Sequence, residues 1–224
     1  MTYIENVYIC LAAPILVSIF CMRGRGRSMM GFVLSGMTVC LLSSYISTFF
    51  AAVYSMDYVT ASITVAPVVE EVMKFLPVLF CLLIFEPEKH EIPAFVIMTA
   101  VGFATLENVC YLTQNGTSEF LKLLIRGFGT GAMHVICGAI MFSGLLSFWD
   151  QKWIRAAGTV GVLAGVVTYH SIYNMLVLQT GAAALVGYLI PVLSAIIFAL
   201  QRHFAGSQPH TYSQDPVNPD ENEN

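Results

Sequence analysis

Residues 68–77 read Val-Val-Glu-Glu-Val-Met-Lys-Phe-Leu-Pro, which sets three ionisable side chains, Glu70, Glu71 and Lys74, into an apolar run extending from about Ser62 to Phe85. At about 1.5 Å of rise per residue, that run is long enough to cross a bilayer as one helix. A charge at the centre of a membrane helix costs about 2.5 to 3.5 kcal/mol on insertion scales, so charges persist there only where they are paired, wet or used. On a helix Lys74 lies four residues after Glu70 and three after Glu71, so it can neutralise one carboxylate and leave the other available. Pro67 and Pro77 flank the trio, each withdrawing a backbone donor near the charges.

The rest of the chain agrees with a membrane setting. Its 224 residues are 57% hydrophobic and 11% charged, with a mean hydropathy of +0.73, against about 25% charged residues in an average soluble domain. This predicts an all-α polytopic transmembrane bundle. Apolar runs between turn and charge punctuation predict about seven spans, near residues 4–22, 29–53, 62–85, 93–112, 122–148, 154–177 and 181–203. Residues 1–204 read as a single integral-membrane domain and residues 205–224, rich in Pro, Asn, Gln and Ser, as a disordered polar tail. Nothing in the basic residues suggests a nucleic-acid partner. Cys10, Cys21, Cys40, Cys81, Cys110 and Cys137 stand singly in apolar segments and read as small membrane-buried hydrophobes, without disulfide or redox role.

Arg23, Arg25 and Arg27 follow the first span, and no basic residue precedes it. Positive charge on the cytoplasmic side then predicts an outside N-terminus and a cytoplasmic C-terminus. Lys122 and Arg126 alone fall on the outer side against that rule, which assigns them to the interface or to an internal partner, and Arg126 is expected to snorkel to the interface. With this orientation the out-of-place polar residues can be ranked by depth. Glu70 lies about 12 Å from the outer end of its span, Glu107 about 8 Å and His170 about 10 Å, counting 1.5 Å per residue. His134 falls at a similar level. Four helices running alternately up and down thus bring their polar residues to one height in the outer half of the bilayer.

Each of these groups also has a plain structural reading. Glu71 with Lys74 can be an ion pair that serves packing alone, and Asn108 reads as a helix–helix hydrogen bond. Two histidines at the level of three carboxylates favour a site instead. Glu70 supplies a base and Glu107 a second group to orient water, while His170 and Asn174, four residues apart, supply two donors for an oxyanion. No serine or cysteine sits in a nucleophile motif, so attack by water is the simpler chemistry. The same residues offer a zinc site through His134, His170 and Glu107. Of the two, the metal-free arrangement is preferred, because an Asn beside His170 is well explained as a donor and is an unusual zinc ligand.

Glu70-Glu71-x-x-Lys74, Phe103-x-x-x-Glu107-Asn108, His134-x-x-x-Gly138 and His170-x-x-x-Asn174, in that order on successive helices, resemble the PrsW family of bacterial intramembrane proteases over about residues 1–203. That family is distantly similar to the CAAX-processing and bacteriocin-processing membrane endopeptidases. The resemblance implies a multi-pass protein of the bacterial cell membrane that makes the site-1 cut in a single-pass anti-sigma factor near its extracytoplasmic side, within a stress response. It places the water-activating glutamate on Glu70 and the oxyanion-binding His and Asn on His170 and Asn174. Where the CAAX-type enzymes have Phe-x-x-x-His, this chain has Phe103-x-x-x-Glu107, which leaves His134 as the replacement. The implied partners are the substrate and membrane lipid. Competing classes are a proton-coupled transporter, against which stand the small size and the lack of an internal repeat, a haem protein using His134 and His170, and a non-catalytic binder of membrane segments.

Overall fold

A computed structural model describes residues 3–116, 120–149 and 151–206 of the chain. It contains seven helices: α1 (Ile4–Cys21), α2 (Gly24–Val53), α3 (Tyr58–Ile84), α4 (Ile92–Asn115), α5 (Phe120–Trp149), α6 (Lys152–Val177) and α7 (Ala182–Gly206). Each falls on one of the expected spans, with ends that differ by about a turn or less except at α2, which starts five residues earlier. Helix α7 runs through Ala205 and Gly206, the first two residues of the expected 205–224 tail, and the rest of that tail lies outside the described residues.

Local chemistry sets where α3 begins. Asp57 accepts a hydrogen bond from the Thr60 backbone N–H (2.7 Å) and another from its hydroxyl (3.1 Å). These bonds cap the helix four residues before the apolar run at Ser62 and hold the Asp57 carboxyl below the usual carboxylate range. Six of the seven helices are long and apolar enough to cross a membrane; α3 is the exception because every 18-residue window in it contains Glu70, Glu71 and Lys74.

Helices α4 and α5 form the centre, with 50% of their apolar stretches buried, against 11% for α1 and α7 at the periphery. The closest crossing joins α2 to α4. A methyl group on Gly36 would stand 2.1 Å from the Thr99 carbonyl oxygen, and one on Gly102 would stand 2.0 Å from that of Val33. Only glycine lets the two backbones meet there, the small-residue packing that lipid-embedded helices favour. One apolar cluster gathers on this crossing (Met37, Cys40, Phe103, Leu106) and a second joins α3, α4, α5 and α6 (Val78, Val96, Met133, Val166). On α3, Met73 packs against the first cluster and Phe75 against the second. The α3 charges therefore enter the bundle where the two clusters meet. All six cysteines are free thiols, as the absence of any pairing pattern predicts.

Candidate active site

From α3, the Lys74 ammonium reaches Glu71 Oε1 at 2.5 Å and His134 Nδ1 on α5 at 2.9 Å, with its Nζ 4.9 Å from the Phe103 ring centroid. It thus pairs with the carboxylate three residues back, not four, and leaves Glu70 without it. An ammonium only donates, so His134 Nδ1 accepts and its Nε2–H donates to Glu107 Oε2 on α4, at 2.5 Å. Glu71 Oε1 also accepts from His170 Nδ1 on α6, at 2.6 Å. That bond fixes the His170 ring and leaves its Nε2 facing Glu70 Oε2 at 3.7 Å, beyond hydrogen-bond reach. The two imidazoles meet edge to face with centroids 5.3 Å apart.

The pattern divides the carboxylates. The Glu71 side chain is 4% exposed, with its Oε1 shared by Lys74 and His170, whereas those of Glu70 (19%) and Glu107 (31%) retain access. A buried pair such as Glu71 with Lys74 stands only with good geometry and further hydrogen bonds for each charge, and the two histidines supply those.

Of the six residues expected at the site, Glu70, Glu71, Glu107, His134 and His170 come together at one level of the bundle. Asn174 takes a different post. Its Nδ2 donates to the Ser62 carbonyl at 2.8 Å, one residue before the carbonyl that Pro67 deprives of its helical donor. The amide expected to face an oxyanion therefore ties α6 to α3. Asn108 makes the interhelical contact expected of it, to the Gly127 carbonyl at 3.5 Å.

Among the described residues, the set whose ligand atoms converge on a metal-sized space is Glu70, His134 and His170, all within 4.8 Å of one another. Glu70 thus stands where the sequence suggested Glu107. The donor chemistry fits a divalent ion such as zinc, since two imidazoles and a carboxylate make a catalytic zinc set with a position left for water. Each imidazole is backed by a carboxylate on its other nitrogen, Glu71 on His170 and Glu107 on His134, the usual support of a ligating histidine. For His134 to ligate through Nδ1, it must release Lys74.

Sequence reasoning missed Arg126. It does not snorkel away: its Nη2 lies 3.4 Å from Glu107 Oε1, and its guanidinium carbon sits 3.5 Å from the Tyr111 ring centroid. The signal was present, because Glu107 and Tyr111 are four apart on α4 and offer a carboxylate and a ring on one face.

No curated protein and no solved structure matches the chain. A family model described as "PrsW family intramembrane metalloprotease" matches residues 25–200, a range that contains every residue of the polar cluster. That match spans more than half of the chain and takes in the Glu–His–His centre, and this chain belongs to the PrsW family of intramembrane metalloproteases.

Proposed function

We propose that the protein cleaves a single-pass membrane protein near its extracytoplasmic face, that the substrate is an anti-sigma factor, and that the cut is the first step of a stress response. The observation that carries the site assignment is the open approach between Glu70 Oε2 and His170 Nε2, 3.7 Å apart, beside a sealed Glu71–Lys74 pair. One atom can stand between them in contact with both. The cut in the outer half follows from the orientation that the charge pattern favours, with the N-terminus outside and the C-terminus cytoplasmic, and from counting residues along each span. Residues 1–204 act as one membrane domain in this reading.

Glu70 accepts the proton of the attacking water and returns it to the leaving amine, the ordinary work of a carboxylate held at the edge of a dry site. Glu71 fixes the His170 ring so that Nε2 points inward. Glu107 does the same for His134 and is itself held by Arg126. Glu70, His134 and His170 would hold the metal ion, which when bound supplies a Lewis acid and a more acidic water. With two oxygens, Glu70 can offer one to the ion and the other to the proton. The metal-free alternative loses support from the geometry, since Asn174 is spent on Ser62 and the His170 proton is spent on Glu71.

Co-expression with tagged single-pass anti-sigma factors, followed by immunoblotting, tests this reading. A truncated product that appears with the wild type and not with Glu70→Gln is expected. Cleavage of other single-pass proteins but of no anti-sigma factor would overturn the substrate assignment. Undiminished cleavage by Glu70→Gln would overturn the base.

A further inference from the structure

A cleft of about 630 Å³ opens between the ends of α4, α5, α6 and α7, lined by Tyr111, Lys122, Arg126, Val177, Leu185 and Tyr188 among others. We propose that it binds an anionic phospholipid, with the phosphate held by Arg126 and Lys122 and the first part of the acyl chains laid along Val177 and Leu185.

The argument starts from charge. Lys122 and Arg126 are the two cations that contradict the charge rule for the outer side, and both line this cleft. Arg126 is not saturated: a guanidinium carries five N–H donors, its contact with Glu107 is a long 3.4 Å, and its buried Nε has no hydrogen-bond partner among the described residues. Depth gives the second step. The lining includes Asn115, Gly116 and Gly181, at the C-terminal end of α4 and just before α7, the height at which a helix leaves hydrocarbon and meets lipid phosphate. Shape gives the third. Leu185 is 48% exposed and Tyr111 38% exposed, so the cleft is open on its flank and its apolar wall continues onto the outer face of the bundle. Lys and Arg near a membrane surface attract acidic headgroups, each by about fivefold or 1 kcal/mol, and the volume is within the range of about 300 to 1,000 Å³ usual for small-molecule sites. Free phosphate would use the cations but not the apolar wall. Because Arg126 also holds Glu107, a headgroup seated here acts on the same side chain that braces His134.

The test uses full-length protein reconstituted with phosphatidylglycerol or phosphatidylcholine of identical chains, and native mass spectrometry reads the lipid retained. Phosphatidylglycerol should be held preferentially, with Lys122→Gln and Arg126→Gln each lowering its retention about fivefold and the double variant erasing the preference. Lys122→Gln lies apart from the polar cluster and keeps the test readable if Arg126→Gln does not fold. Equal retention of the two lipids would overturn the proposal. So would inorganic phosphate stabilising the protein as well as phosphatidylglycerol does, or an acidic single-span peptide displacing the lipid at equal concentration, which would make the cleft a substrate contact. No readout here depends on cleavage, so failure of this proposal and failure of the proteolytic reading are told apart.

Discussion

The α2–α4 crossing and the polar cluster of α3, α4, α5 and α6 meet at Phe103, and they are held together by opposite means. At the crossing, Gly36 and Gly102 bring backbone against backbone beside an apolar cluster. In the cluster, Lys74 spans two helices and each histidine bridges a carboxylate on one side and an open space or a cation on the other. The first region depends on shape and has no room for an added atom. The second depends on charge and cannot lose one without leaving its partner buried and unpaired. Phe103, 1% exposed and within 4.9 Å of both the Lys74 Nζ and the His134 ring centroid, is where the rigid crossing meets the reactive centre.

That contrast makes substitutions in the two regions fail differently. Glu70→Gln keeps shape and removes both a proton acceptor and a charged candidate ligand; cleavage should fall about 10²-fold or more while the purified protein still shows a cooperative thermal melt. Lys74→Met removes the charge shared by Glu71 and His134. It should destabilise the fold by about 3 to 5 kcal/mol, and adding Glu71→Gln should recover part of that loss in the same melt. Gly102→Ala acts on shape alone, driving a methyl group into the Val33 carbonyl at a cost of about 1 to 3 kcal/mol. Its residual folded fraction should cleave at the normal rate per folded molecule. Asn174→Ala should be the mildest, a loss of about 0.6 to 2 kcal/mol for one interhelical hydrogen bond, read by melting. If Asn174→Ala instead lowers turnover by about 10²-fold or more with stability intact, its amide serves an oxyanion and the Ser62 contact is secondary.

The spans and the common level of the site residues were legible in the sequence because both are one-dimensional. Apolar length marks a helix, and counting at about 1.5 Å per residue gives position along it. Glu70, Glu107, His134 and His170 were brought to one level that way. Rotation about each helix axis was much less legible. It decides that Lys74 turns to Glu71, that Glu70 and not Glu107 joins the two histidines, and that Asn174 turns to Ser62. Arg126 was misjudged for the same reason: its height near the interface suggested snorkelling, while its direction carries it under Tyr111 to Glu107.

The claim that Glu70, His134 and His170 form the chemical centre is tested most directly by metal content. Active protein purified without chelator should contain about one equivalent of a divalent metal per chain, as expected of a three-ligand catalytic site. His170→Ala should lose that metal together with cleavage, and a chelator should abolish wild-type cleavage until metal is returned. Wild-type protein that cleaves at full rate with no metal bound, and that ignores chelators, would contradict the account.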